Sequence, residues 1–463
     1  LGLRLALGDG RPWEVLRWAE RWRAGALRLP PVAAPATSEL ADALADLRAA
    51  ESDLREATLA GTPPAALLGR IARLERTVRD RARRASGPGR ARAAAGNGGG
   101  GTRPRAFAAG DLSPALGRRA LVEYVNVEGE LHAVTVAGGR ARLVALGPTA
   151  RVADEARFLD FALRRVLAPA RGRTRGDGAV ASPPGDAGAR PGTEGGGWAD
   201  VAAAAATLDG LLIAPLGLDA DRPLVLVPTH PLHRLAWAAL PSLAGRPVTV
   251  APSAALWLRP ARSRRHERSG GTVVVAGPDL PGADAEAAAV AGRYPGARLL
   301  RGADATVEAV LDALAGARLA HVAAHGRLRS DSPLFSSLAL ADGALTLYDL
   351  ERLGSPPATF VLPACNAALP QVTRGDEVLG TATALVGLGV RSVVAPVLPV
   401  PDEATTPFVL AVHAGLGAGL APSEALAAAV TSAAADRPDQ RPLAAAFVCI
   451  GADDGTDAQT VTG

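Results

Sequence analysis

Two residues stand out as a pair that could do covalent chemistry, His325 and Cys365. Each follows a short apolar run, 319–324 and 359–362, of the length of a buried strand in a parallel sheet. In open α/β sheets the loops past the carboxyl ends of the strands gather at one edge. A His and a Cys that are 40 positions apart in sequence can therefore meet there. A free thiol titrates near about 8.5, and its thiolate is the form that attacks a carbonyl. A neighbouring imidazole can take the thiol proton and return it to a leaving amine, which makes the pair a nucleophile and its base. The N–H groups of Gly326 and Cys365, in turns just past the two strand ends, suit an oxyanion. Gly326 also permits a tight turn and a close approach of a substrate backbone. His321 competes as the base, because strand alternation puts His321, Ala323 and His325 on one face. His325 is preferred because it ends the run and precedes the glycine. The plainer reading is a packing His and a buried Cys.

The elements that would position this pair follow from alternating apolar patterns. Strands are expected at 223–228, 248–251, 272–276, 297–301, 319–324, 359–362, 392–396 and 444–450, the last closing the sheet. Helices are expected at 201–212, from about Leu232, and at 284–294, 305–314, 378–388, 404–415 and 423–435, with an exposed Arg-rich loop at 259–269. Strand–helix alternation predicts an α/β fold with a mostly parallel sheet and helices on both faces. An α-helical N-terminal region, 1–84, precedes it. There, 1–29 reads as two helices broken at 8–12, with Val15, Trp18, Ala19 and Trp22 at helical spacing, either the end of a helical repeat array or a lone amphipathic helix packed on the next domain. Residues 38–84 read as a helical hairpin broken at Gly61-Thr62-Pro63-Pro64. Residues 85–105 read as a flexible linker and 172–197 as a disordered loop, both Gly-rich and poor in apolar residues. They bracket a unit at 106–171, an antiparallel meander over 120–146 and a helix over 153–167. The main domain is 198–463.

Composition narrows the function classes. A chain of 463 residues with 48% hydrophobic content can bury a core. All 50 basic residues are Arg and Met is absent, a mark of GC-rich coding rather than of chemistry. The net charge of +4 comes from scattered Arg with 3% aromatics between them, which argues against a nucleic-acid partner. No apolar run reaches the roughly 18 residues of a membrane span. Two cysteines make no disulfide framework, and a thiol nucleophile fits a reducing cytoplasm. Cys449, in AAFVCIG, reads as a buried inert thiol. His230 and His233 lack a third ligand at suitable spacing, so no metal or cofactor is expected. The sequence begins at Leu1 and reads as a piece of a longer protein.

The segments HVAAHG, SPLFSSLALADGALTLYDL, LPACNA, GDEVLGTATALVGLGVRSVVA and VLPVPDEAT resemble the CHAT domain, within the caspase–separase–gingipain group of cysteine peptidases. The resemblance is strong over 201–452 and weaker back to about Leu112. It implies a caspase-like α/β sandwich and a cysteine endopeptidase with His325 and Cys365 as its dyad. It also implies a protein substrate and an upstream helical sensor or partner that releases the activity. The family usually has Ser two positions before the Cys, where this chain has Pro363, and often an acid after it, where this chain has Asn366. Asp402, in VPDEAT, resembles the acidic position that recognises a basic residue ahead of the scissile bond. Asp376 and Glu403 are its rivals, and a carboxylate that favours a helix dipole is the plain alternative. Two other functions remain open. One is a catalytically inactive CHAT-type scaffold, supported by Pro363 and Asn366. The other is a nucleic-acid regulator built on the Arg-rich second arm of the hairpin, Arg70 to Arg84, which also reads as a solvated helix face.

Overall fold

The computed structural model describes residues 2–26, 38–59, 65–85, 109–168, 197–262, 270–327, 335–351, 353–363 and 377–452. The expected linker, the expected disordered loop, Cys365 and Asp376 lie outside the described residues.

The strands are β1 Ala120–Val127, β2 Glu130–Ala137, β3 Arg140–Pro148, β4 Leu224–Val227, β5 Val248–Val250, β6 Thr272–Ala276, β7 Arg298–Leu300, β8 Leu319–Ala323, β9 Gly326–Arg327, β10 Ser337–Leu340, β11 Gly343–Thr346, β12 Thr359–Val361, β13 Ser392–Pro396 and β14 Phe447–Gly451. Eleven of them form one sheet in the order β3-β2-β1-β4-β5-β14-β13-β12-β8-β6-β7. It contains two parallel blocks, β1-β4-β5-β14 and β13-β12-β8-β6-β7. They meet antiparallel between β13 and β14. The reason is the connection. From β13 the chain runs through helix Asp402–Gly417 and returns along helix Pro422–Asp436. It then enters β14 after the short helix Arg441–Ala446. A single crossover helix would have made the pair parallel. The run expected to close the sheet therefore sits in its middle and joins the two halves.

Alternation shows that both faces are covered. Along β1 and β4, Ala120, Val122, Tyr124, Leu224 and Leu226 join one core with helices Thr149–Leu167 and Trp198–Leu212. Leu121, Val125, Val225 and Val227 join another with residues of helices Gly2–Gly8, Pro12–Ala26, Ala109–Leu116 and Ala254–Arg262. The first two helices thus lie against the sheet. Val15, Leu16 and Ala19 are buried, while Trp18 and Trp22 are 40% and 81% exposed. Glu20 ties the contact down, since its carboxylate accepts the N–H groups of Ala254 and Ala255 at 2.8 Å each, capping the helix that starts there. Arg23 donates to Glu123, Tyr124 O and Pro228 O.

Three local expectations change. The helix expected from Leu232 is three separate 3-10 turns, Leu232–Arg234, Trp237–Ala239 and Pro241–Leu243, since Pro231 and Pro241 interrupt regular backbone pairing. The Arg-rich loop begins later, because 259–262 end helix Ala254–Arg262, whose Trp257 and Leu258 are buried; 263–269 lie outside the described residues. The stretch Trp198–Leu216 is long and apolar enough to cross a membrane by length and composition, but Val201, Ala204, Leu208 and Leu212 line the core.

The hairpin Ser38–Leu59 and Ala65–Ala85 packs on a second sheet, β11-β10-β9. Leu40, Leu44, Leu47, Ile71 and Val78 share a core with Phe335 and Tyr348. Arg48 donates to the fully buried Asp349 at 2.6 Å. Arg79 lies over the Phe335 ring and Arg70 faces Asp53.

Candidate active site

Strand β8 is buried along its whole length, and the chain leaves its carboxyl end through Ala324 to the half-buried His325. On one side β8 pairs in parallel with β6, and on the other with β12. The next strand over is β13. All four therefore end at one edge, which receives His325 from β8, the loop 277–279 from β6, the Leu362-Pro363 exit from β12 and the segment leading to Asp402 from β13. Of these, β12 and β13 are consecutive strands on either side of helix Glu377–Leu388, and they pair in parallel.

The loop after β6 orients His325. Its Nε2 donates to the carbonyl oxygen of Asp279 at 2.7 Å. A carbonyl only accepts, so Nε2 carries the proton and Nδ1 is the basic nitrogen. Asp279 presents that carbonyl from a left-handed backbone, φ 58. The loop can come this close because of Gly277. A Cβ there would sit 2.6 Å from Ala324 Cβ and 2.6 Å from Ala339 O, and Gly277 N–H already donates to Ala323 O. Neither Gly277 nor Asp279 is a residue the sequence singled out, because the orienting group is main chain.

Gly326 begins β9, opposite Leu338 of β10. His325 O accepts from Ala339 N at 2.9 Å. Bonded and non-bonded pairs alternate in an antiparallel ladder, so Gly326 occupies a non-bonded position and its N–H points away from β10. Its backbone is outside the left-handed region, and among the described residues an added Cβ would meet only Leu338 at 3.9 Å. The turn does not require this glycine.

His321, the competing base, is 0% exposed. Its Nδ1 lies 3.1 Å from His413 Nε2, and its Nε2 lies 3.3 Å from Glu286 Oε1, within ion-pair range but off hydrogen-bond alignment. His413 Nδ1 in turn lies 2.9 Å from Tyr294 OH, which also reaches His413 O at 3.1 Å. Burial, then the charge of His321 and of Arg293, push His413 down to about 2, so it stays neutral. Burial pushes the Tyr294 phenol up to about 12. A buried imidazole with these partners holds the core together and has no route to a substrate. Sequence could have flagged His413 as the lone polar residue in the apolar stretch 407–417, but not its partners.

Asp402 is the first residue of that helix and half-buried, and its carbonyl accepts from Thr405 Oγ1 at 2.7 Å. Cys365 and Asp376, the other members of the expected site, lie outside the described residues, as does the Glu403 side chain. Cys449 is buried within β14. Among the described residues no group of three His, Cys, Asp or Glu side chains could hold a metal.

Residues 202–452, more than half of the chain, match the CHAT domain family. The chain belongs to that family. Among solved structures it is similar to the separase–securin complex of Saccharomyces cerevisiae in two crystal structures. The identities are 12% and 13%, with TM-scores of 0.49 and 0.45. The matches cover 75% and 74% of this chain but 31% and 30% of the yeast chain, so this chain spans about a third of that length. No curated relative matches it. Within the CHAT domain lie β4 through β14, and with them His325 and Asp402.

Proposed function

We propose that this CHAT domain is a cysteine endopeptidase whose dyad is His325 and Cys365. One observation carries the reading. Strand β12 pairs with β8 at an offset of 40, Thr359 opposite Leu319 and Val361 opposite His321. Cys365 follows His325 by the same 40 positions. Both strands end at the same edge, where His325 follows the last residue of β8 by two positions and Cys365 follows Pro363, the last described residue past β12, by two. His325 Nδ1 then takes the thiol proton as Sγ attacks the scissile carbonyl. The oxyanion meets the N–H groups of Gly326 and Cys365. The proton passes to the leaving amine, and water, deprotonated by His325, releases the acyl group and restores the thiol. A thiol-directed peptidase probe should label Cys365 in the wild-type chain and not in Cys365→Ala, and His325→Ala should abolish labelling near neutral pH. An unlabelled Cys365 in the folded chain would instead support the scaffold reading that Pro363 and Asn366 suggest.

Two further parts of the reading concern control and specificity. Arg327, two residues after His325, lies 3.5 Å from Glu51 of the helical hairpin. A sensor or partner that shifts the hairpin would move β9, and with it the oxyanion donor at Gly326. Asp402, at the same sheet edge, is the proposed receptor for Arg or Lys ahead of the scissile bond. Asp402→Ala is expected to cost about 2–5 kcal/mol in kcat/KM on such substrates if the charge pair is desolvated, and to leave alkylation of Cys365 unchanged. An unchanged peptide-library profile in Asp402→Ala removes it from the site. A reducing cytoplasm and a protein substrate complete the proposal.

A further inference from the structure

The strand that leads into His325 and the helix that begins at Asp402 come from different parts of the sequence, and one buried carboxylate touches both. Glu286, on helix Ala283–Ala291, is 3% exposed. Its Oε1 lies 3.3 Å from His321 Nε2, four residues before His325 on β8. Its Oε2 accepts from Thr405 Oγ1 and Thr406 Oγ1, each at 3.1 Å. These are in the first turn of helix Asp402–Gly417. Thr405 is itself buried, and its hydroxyl is shared with the Asp402 carbonyl, 2.7 Å away. The same helix returns to β8 two turns later, where His413 Nε2 meets His321 Nδ1. Helix and strand are thus joined at two points, and Glu286 supplies the one nearer the edge.

A charged or polar group buried this deeply costs stability unless it is satisfied. An apolar trio of similar volume would pack helix 402–417 against β8 without that cost. What polar contacts add is geometric definition: the threonine hydrogen bonds fix distance and direction on the helix side, and the 3.3 Å ion-pair contact with His321 holds the strand side, where apolar packing tolerates sliding.

We propose that Glu286 is a positioning residue: it sets where the Asp402 end of the helix lies relative to His325. The proposal rests on the peptidase reading for its effect on catalysis. The joining of the two segments is tested separately.

The experiment compares Glu286→Ala, Glu286→Gln and the double variant Thr405→Val/Thr406→Val, all in the full chain. The amide of Gln is close in shape to the carboxylate, keeps an acceptor for the threonines and turns an N–H toward His321 Nε2, so it should rescue. On a peptide with Arg before the scissile bond, Glu286→Ala should lose about ten- to hundredfold in kcat/KM through both kcat and KM. Glu286→Gln should stay within about threefold. The threonine variant, which frees only the helix, should raise KM and leave kcat near wild type. A purely structural carboxylate would lower the amount of folded enzyme without this split. Hydrogen exchange is the second readout and needs no activity. Glu286→Ala should speed exchange at both 324–327 and 402–406, and Glu286→Gln at neither. Wild-type kinetics in Glu286→Ala, or faster exchange at one segment alone, overturns the proposal. Absence of cleavage and of Cys365 labelling in the wild-type chain overturns the peptidase reading instead, and the exchange result then decides whether Glu286 joins the two segments. If Glu286→Ala does not fold, the threonine variant decides: faster exchange confined to 402–406 with kcat kept supports the proposal, and unchanged KM and exchange overturns it.

Discussion

His325 is held by a main-chain oxygen, which makes its environment tolerant at one neighbour and intolerant at another. Asp279→Gly keeps the carbonyl and suits the left-handed φ of 58. It should hold the rate within a few-fold of wild type in a steady-state assay. Gly277→Ala places a Cβ 2.6 Å from both Ala324 and Ala339 O. Overpacking of that kind costs about 1–3 kcal/mol. A fall in Tm should accompany slower alkylation of Cys365, because the displaced loop no longer fixes the tautomer of His325. His413 gives a pH test. Folded, it refuses a proton down to about 2, whereas its unperturbed value is 6.5. As pH falls through 6.5 the unfolded chain gains a proton that the folded chain does not, so stability falls with pH there. His413→Gln should lose this acid sensitivity, seen as a shallower decline of Tm between pH 7 and pH 4 than in wild type.

At the scale of elements, the hairpin Ser38–Leu59 and Ala65–Ala85 is bound to the small sheet mainly by apolar contact, with two part-buried ion pairs among the described residues, Arg48–Asp349 and Arg327–Glu51. Asp349 is fully buried, and besides Arg48 it accepts from Thr346 N and Thr346 Oγ1. Arg48→Ala therefore strips a buried carboxylate of its cation. The expected loss is about 3 kcal/mol, measured by denaturant unfolding. Asp349→Asn in the Arg48→Ala background should recover part of it, since the amide is neutral. If the hairpin controls the site, Arg48→Ala should also change the reactivity of Cys365 before the chain unfolds. Gly343, with φ 140 and an added Cβ only 3.0 Å from Arg48 Cβ, marks how closely the hairpin lies on β11.

Across the whole molecule, the two parallel blocks have unequal roles. The β13-β12-β8-β6-β7 block carries the candidate site, and the β1-β4-β5-β14 block holds the N-terminal helices through Glu20, Arg23 and Glu123. Burial raises Glu123 well above its usual range, the nearby Glu20 raises it further, and Arg23 opposes both. Glu20 is raised by burial as well. The folded chain thus keeps a proton that the unfolded chain releases near 4.5. The stabilisation is complete below that value and declines as pH rises through the folded one. Glu123→Gln keeps the neutral form and the contact with Arg23. Its Tm relative to wild type should rise from pH 5 to pH 8, and a constant difference would show that the pair does not titrate there.

The local parts of this protein were legible in its residues. Short apolar runs marked β6, β8, β12 and β13 to within a residue or two, because strands buried on both faces need continuous Val, Leu and Ala. Gly and Pro breaks marked both N-terminal helix pairs, and the family motifs pointed to His325. Pairing of β12 with β13 followed from the crossover helix Glu377–Leu388 between them; between β8 and β12 the chain first forms the small sheet β9–β11. What depended on long-range contacts did not show. The antiparallel junction at β13 and β14 arises from a helix count between strands, not from any pattern within them. The docking of the first helices on β1 and β4, and of the hairpin on β9–β11, depends on surfaces that match only once the sheet is formed. The demotion of His321 needed Glu286 and His413, which lie 35 positions before and 92 after it. Its neighbours within β8 resemble those of His325, and only burial separates the two: a strand centre has no water to serve a base, whereas a strand end does.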